Sequence, residues 1–430
     1  MSRKKTDRVP TLLCNGTFYG TLAAARALGG EGIPVTVADP SPTAPALWSR
    51  HVTRRLRCPP LEDVERFSEW LRRFAEREPR HVLYATSDEL SFTLALHREA
   101  LSERFALYQP DVDVIMRVLD KGLLGEHARA AGLDVPDTWL PQNEADVTRA
   151  AREADGPLMV KPRTQVAFGV HSKGMLAPRG VDGLRAAYAR FTSGEHVHDG
   201  DFARRFPEAT RPMLQRYYPE AADGIYSLAG FRDHTGAHFV ALGARKILQR
   251  PRRLGVGLCF EAAPVDPQLA AGVARLCERV GYYGVFETEF IQVGGRSLLI
   301  DMNPRFYGQL AFEVARGLPL PQLAYAAALG DDDEVARLVA QVPPPGAGTD
   351  LAYCNRFGLG VQLGAQRLFG SAARGDAAHW SSWLDAHEGR LVDAVADPTD
   401  AKPYAIAIAG QIYSHLRHPG VFIRHLALDR

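Results

Sequence analysis

Val285-Phe-Glu-Thr-Glu-Phe-Ile-Gln-Val-Gly-Gly-Arg-Ser-Leu-Leu-Ile-Asp-Met-Asn-Pro-Arg-Phe306 is the stretch on which the fold turns. Two runs rich in β-branched, aromatic and aliphatic residues flank Gly294-Gly295, the pattern of a β-hairpin. Its register can be argued from the side chains. A two-residue loop pairs Glu289 with Ile300 and sets carboxylates against aliphatic residues. A three-residue loop (Gly294, Gly295, Arg296) pairs Glu289 with Asp301 and Glu287 with Asn303 on one face. Phe290 with Ile300 and Gln292 with Leu298 then share the other face with Phe286 and Met302. Because a one-residue slip turns a strand's whole face over, the three-residue loop is the expected register. It gathers Glu, Asp and Asn oxygens on a rigid pair of strands, with Arg305 just beyond. Acids packed that closely repel unless a positive charge sits among them. Hard oxygen donors on rigid strands suit Mg²⁺, which takes one or two carboxylates and completes its shell with water and phosphate oxygens. An exposed sheet face with scattered charge is the alternative reading of the same pattern.

The lysines point the same way. Of 51 basic residues only seven are lysine, and four of these (Lys121, Lys161, Lys173 and Lys246) fall in the central region. In a chain that meets surface charge with arginine, a retained lysine suggests that a compact ammonium is wanted, and phosphate is one target for such a point charge.

Composition sets the frame. A chain of 430 residues, 46% hydrophobic and 23% charged, has room for two or three domains with substantial cores. A net charge of +1 gives no reason to expect a nucleic-acid or membrane partner. Five dispersed cysteines without a CxxC pair favour a reducing cytoplasm over a disulfide framework or zinc site. The Met1–Lys5 start leads into only a short apolar run, so no signal peptide is expected, and no window approaches eighteen apolar residues.

Working outward, strand 9–13, a helix from about Tyr19 to Leu28 and strand 35–38 form a βαβ unit, and residues 1–118 read as an open, doubly wound α/β domain. Asn15-Gly16, Gly20 and Asp39 only partly imitate a dinucleotide fingerprint, so NAD binding ranks low. Ligands of such sheets still sit at the carboxyl ends of the strands, which makes Gly16 and Ser87-Asp88-Glu89 plausible substrate contacts. A second region, 119–211, carries the strand Leu158–Lys161 and a polar loop, 163–174. A third, 212–340, holds long strands and the hairpin. Residues 341–430 begin with a Pro/Gly linker and read as mostly helical. His196-Val-His198-Asp199 resembles a metal motif but reads better as a solvated insert.

Taken in order, Asp120-Lys121, Pro157-Leu-Met-Val-Lys161-Pro162, Leu214-Gln215-Arg216-Tyr217, Glu289-Phe290 and Asp301-Met-Asn303-Pro-Arg305 resemble the ATP-grasp superfamily. More closely, the chain looks like the carboxylate–amine ligases with a pre-ATP-grasp domain, relatives of D-aspartate ligases, over residues 9 to about 330. The resemblance implies an α/β architecture in which the ATP-grasp fold follows a Rossmann-like domain and precedes a helical extension. It implies ATP and Mg²⁺ (with Mn²⁺ as an alternative) as cofactors, and Lys121 and Lys161 on the α- and β-phosphates. Loop 163–174 with Lys173 would close over the phosphates. Gln215, Arg216 and Tyr217 would form an interlobe hinge presenting backbone groups to adenine. Asp223 stands where relatives keep a ribose-binding acid; a turn residue before Gly224 is the competing reading. Glu289, Asp301 and Asn303 would hold the metal, and Arg305, Arg245 and Lys246 would neutralise the transferring phosphoryl group. The implied reaction joins a small carboxylate to an amine, amino acids foremost, through an acyl phosphate, in a cytoplasmic enzyme with a homodimer as one candidate assembly. Three rivals stand beside it: another acceptor on the same fold, a non-catalytic nucleotide-binding protein, and an NAD oxidoreductase.

Overall fold

The structure is a computed structural model that describes residues 8–168, 174–192, 201–222, 224–250, 255–344, 350–369 and 374–417. Among the described residues, sixteen strands fall into three sheets. The amino-terminal sheet is wholly parallel, in the order β3-β2-β1-β4-β5, from β1 (Thr11–Cys14), β2 (Val35–Ala38), β3 (Arg54–Leu56), β4 (His81–Leu83) and β5 (Phe105–Leu107). Its central strands are apolar on both faces, as a parallel sheet covered by helices requires. Helix Val64–Arg77 shows why: Phe67, Leu71 and Phe74 recur at helical spacing and are buried, while Asp63 caps its start by accepting the Arg66 N–H.

The second sheet is antiparallel, in the order β6-β9-β7-β8, from β6 (Thr138–Trp139), β7 (Leu158–Lys161), β8 (Met175–Leu176) and β9 (Met213–Arg216). β9 lies between β6 and β7 in this smaller sheet, so the strand that follows residue 211 pairs with elements of the 119–211 region. The third sheet has seven strands in the order β14-β13-β10-β11-β12-β15-β16. These are β10 (Ile225–Arg232), β11 (Phe239–Arg250), β12 (Val256–Ala263), β13 (Gly284–Val293), β14 (Arg296–Asn303), β15 (Ala352–Cys354) and β16 (Leu391–Asp393). The last region is mostly helical, as expected, with helices Arg356–Phe369, Arg374–Ala386 and Lys402–Arg417, and it also adds two short strands, β15 and β16, to the large sheet.

The opening hairpin is β13–β14. Its acid half has the expected pairs, Glu287 with Asn303 and Glu289 with Asp301. The distal half does not. Phe290 faces Leu299, Ile291 faces Leu298 and Val293 faces Arg296, so the loop is two residues, Gly294-Gly295, and Ile300 is an extra residue at a bulge beside Glu289. Both glycines have positive φ (56° and 76°), which a two-residue hairpin turn of this hand demands. The bulge reconciles the two registers. Phe286, Phe290, Leu299 and Met302 pack into the core beneath the hairpin, whereas Ile300 joins Ile291 on the face that lines a cavity.

The amino-terminal domain meets the large sheet closely. Gly20, counted above as half a dinucleotide fingerprint, lies where an added Cβ would come within 2.4 Å of the Tyr307 carbonyl oxygen. Asp39 accepts the Thr17 N–H at 3.0 Å and the Ser41 N–H at 2.6 Å, so it ties the β1 turn to the end of β2. Both features therefore have structural explanations in the packing of this domain.

Candidate functional site

A cavity of about 730 Å³, within the ~300–1,000 Å³ range of small-molecule sites, opens where the three units meet. Its floor is the acid end of β13–β14. Around Glu289 and Asp301 the chain arranges its scarce lysines. Lys121 Nζ donates to Asp301 Oδ1 at 2.5 Å and Lys246 Nζ to Glu289 Oε1 at 2.6 Å. Burial works against the Lys121 ammonium, but Asp301 beside it prevails and its pKa is raised; burial likewise pushes Asp301 up, and Lys121, Lys161 and Arg305 hold it below the ordinary value. Lys161, at the end of β7, donates to Gln215 Oε1 at 3.2 Å. Burial, with Lys121 nearby, brings it down to about 8.

Each lysine is fixed by local structure. Lys121 opens helix Lys121–Ala130, whose cap Asp120 accepts the N–H groups of Gly122 and Leu123. Asp120 is itself gripped by Arg163, with Nε at 2.8 Å and a second guanidinium nitrogen at 2.8 Å, and the Lys121 N–H donates to the Arg163 carbonyl. This bidentate pair is buried and holds the helix start against the segment that follows Lys161. Lys246 projects from β11 toward the hairpin.

Arg245, its neighbour, does not. Successive residues of a strand point to opposite faces, and Arg245 is exposed and lies outside the cavity lining while Lys246 is buried within it. Arg245 is thereby removed from the phosphoryl-neutralising set. Lys173, Asp223 and the His196–Asp199 segment lie outside the described residues.

Arg305 is held from three sides. Its Nε donates to Asp88 at 2.6 Å, one terminal nitrogen to Asn303 Oδ1 at 2.8 Å and the other to the Phe306 carbonyl at 3.1 Å. Asn303 is oriented in turn by Glu287, which accepts its Nδ2 at 2.6 Å along with Ser227 Oγ at 2.6 Å and Gln309 Nε2 at 3.1 Å. Glu287 is buried, and burial together with Glu289 raises it to about 7. Read from sequence as a mere neighbour, it is the residue that sets the Asn303 amide. The cross-strand register contained that signal; Ser227 and Gln309 carried none.

The segment Gln215–Tyr217, at the end of β9, is fixed by hydrogen bonds to its neighbours. The Arg216 N–H donates to the Asp137 carbonyl and the Tyr217 N–H to the Pro157 carbonyl, while Gln215 Nε2 donates to Thr138 Oγ1 at 3.2 Å. All three residues line the cavity, beside Met159 and Ile291.

The donor set suits a hard divalent cation. Glu289, Asp301 and Asn303 offer oxygen from one rigid strand pair, and a positive group already lies against each. Among the described residues no three His, Cys, Asp or Glu side chains form a metal cluster, so water or phosphate oxygens would have to complete the shell, as Mg²⁺ commonly requires.

No family model matches the sequence, and no curated protein does. Solved structures do. The biotin carboxylase domain of Hydrogenobacter thermophilus 2-oxoglutarate carboxylase, solved as a dimer with MgADP, ADP and bicarbonate, superposes with a TM-score of 0.59 at 17% identity, over 75% of this chain and 70% of that one. N5-carboxyaminoimidazole ribonucleotide synthetase of Thermus thermophilus gives 0.55 at 19%, over 74% and 78%. The L-amino acid ligase of Bacillus licheniformis gives 0.55 at 15%, over 76% of each chain. The chain has the ATP-grasp fold, preceded by a Rossmann-like domain. Among the described residues, no helix is long and apolar enough to cross a membrane.

Proposed function

We propose that the chain is an ATP-dependent ligase that joins a small carboxylate to an amine, forming an amide and releasing ADP and phosphate. The observation that supports it most is the convergence of Lys121, Lys161, Lys246 and Arg305 on Glu289, Asp301 and Asn303 at one end of a cavity large enough for a nucleotide. Positioned positive charge, with no side-chain nucleophile, is what phosphoryl transfer needs.

In this reading adenine lies against the hinge at Gln215–Tyr217, near Met159 and Ile291, and Lys161 and Lys121 meet the phosphates. A carboxylate oxygen of the substrate attacks the γ-phosphorus, the bond to the β,γ-bridging oxygen breaks, and ADP leaves an acyl phosphate. Arg305 and Lys246 offset the charge gathering on the transferred group. The amine then attacks the acyl carbon and phosphate departs, with one amine proton lost. Glu289, Asp301 and Asn303 would hold Mg²⁺, which when bound neutralises phosphate oxygens and fixes their orientation.

The test is a screen of ADP release with carboxylates and amines offered in pairs. Glu289→Ala or Asn303→Ala should abolish release. Near-wild-type turnover by either variant removes the site assignment, and mass analysis of the product identifies the acceptor as amine, thiol or carbon.

A further inference from the structure

Away from the phosphate-binding end, the large sheet holds two thiols in register. Cys259 of β12 faces Cys354 of β15, and their sulfurs are 3.5 Å apart. The ladder around them sets that approach. The Asn355 N–H donates to the Leu258 carbonyl and the Ala262 N–H to the Leu351 carbonyl, so hydrogen-bonded pairs alternate through 258/355, 260/353 and 262/351. Cys259 and Cys354 fall between two of them, as a non-hydrogen-bonded pair. Cα atoms of such pairs are about 4.5 Å apart, within the roughly 4.4–6.8 Å that a disulfide spans.

A cross-link here would have consequences for the wall of the site. The next residues along both strands, Phe260 and Tyr353, point the other way and line the cavity, with ring centroids 5.8 Å apart. Behind them the two cysteines share a small core with Leu248, Leu359 and Trp383, and Trp383 is tied down by donating its Nε1 to Glu261 at 2.7 Å. β15 pairs with β12 through three residues and with β16 through three. So short a ladder is a weak attachment, and a bond between positions 95 residues apart would reinforce it. Cys14, Cys58 and Cys277 lie in other cores.

Both thiols are fully buried. The Cys354 sulfur, and then burial, push the Cys259 thiol up, so the closed pair is a poor nucleophile. Reaction therefore waits for opening, and short elements with few hydrogen bonds open most readily.

We propose that Cys259 and Cys354 form an oxidation site: a peroxide that reaches them when β15 lifts joins them in a disulfide that latches the carboxy-terminal region to the large sheet. One thiolate attacks the peroxide, the O–O bond breaks, and a sulfenic acid and water result. The second thiol attacks that sulfur, the S–O bond breaks and a second water leaves. The two thiols give up two electrons and two protons, and the peroxide takes them. The inference does not depend on the ligase reading.

The test treats the full chain with hydrogen peroxide, removes the excess, alkylates free thiols in denaturant and maps the digest by mass spectrometry with and without reductant. One cross-linked peptide pair is expected, joining Cys259 to Cys354, with Cys14, Cys58 and Cys277 alkylated. The oxidised chain should unfold about 5 °C above the reduced chain. That shift should vanish with reductant and be missing in Cys354→Ala. Absence of the cross-link overturns the proposal, as does sulfinic acid on either cysteine in its place. Cross-linking of Cys14 to Cys58 in equal yield also overturns it, because the register would then confer no selectivity. A Cys259–Cys354 disulfide that leaves the unfolding midpoint unchanged overturns the latch. If Cys354→Ala does not fold, the wild-type map and its midpoint before and after reductant decide alone.

Discussion

Lys161 shows how one residue can carry opposite pH dependences for folding and for binding. Its ammonium is brought down to about 8 from an ordinary 10.5, burial being the chief cause. Between those values the unfolded chain holds the proton and the folded chain does not, so stability rises as pH increases from about 8 to 10.5, by at most about 1.4 kcal/mol per unit. On the proposed function, nucleotide binding carries the reverse sign. A phosphate favours the ammonium, so affinity falls as pH climbs through 8. Denaturation and nucleotide titrations from pH 7 to 10 should show both slopes in the wild type, and Lys161→Met should flatten both. A parallel response in the variant would detach Lys161 from the phosphates. Arg305 yields a simpler test. Lysine keeps the charge but cannot span Asp88, Asn303 and the Phe306 carbonyl together. Arg305→Lys should therefore lower kcat by about 10²-fold while the KM of ATP changes little, measured by steady-state ADP release.

The gathering of these residues around one cavity was legible from sequence because chemistry concentrates in few letters: seven lysines in the whole chain, acids two and twelve residues from one another, and an Asn-Pro-Arg beyond. What stayed hidden at the level of the element was geometry. The hairpin's acid half followed from side-chain pairing, yet the loop length inferred from it was wrong, because a bulge at Ile300 lets a two-residue turn serve both registers. A bulge leaves no compositional mark, and only the conflict between the two halves hinted at it. Arg245 failed for a related reason: adjacent strand residues cannot share a face, and Lys246 occupies the one turned to the site. The turn offers a clean check. At Gly295, φ is 76° and no atom would touch an added Cβ. Gly295→Ala should then cost only the left-handed backbone penalty, about 1 kcal/mol, whereas Gly295→Asn should cost less because asparagine tolerates that conformation. Chemical denaturation of the two variants compares them directly.

At the scale of the whole molecule, the last region closes the structure as well as extending it. Two strands complete the large sheet, and Tyr353, Asn355 and Gly358 contribute to the cavity wall together with Gln411 of helix Lys402–Arg417. Strands of three residues amid helices, paired only with distant partners, give no local periodicity to read, which is why the sequence showed this segment's helices and not its strands. Its attachment to the amino-terminal domain depends on Asp400, buried among Arg26 Nε at 2.9 Å, Ser49 Oγ at 2.7 Å and the Arg50 N–H at 2.9 Å. Arg26 also donates to the Val395 carbonyl at 2.8 Å and to the Asp400 carbonyl at 3.2 Å, so one guanidinium grips the segment at three points. Burial pushes the Asp400 pKa up, but the hydrogen bonds from Arg50, Ser49 and Arg26 outweigh it and the value is lowered. For a carboxylate shifted down on folding, the stabilisation is complete above the ordinary value of 3.8 and is lost as pH falls through the lower folded value. Asp400→Asn should accordingly destabilise the chain by about 2 kcal/mol near pH 7. The gap from wild type should narrow on acidification below about pH 4, where the native aspartate also loses its charge. A gap unchanged between pH 7 and pH 3 would mean that packing, and not the charged clasp, joins the two ends of the chain.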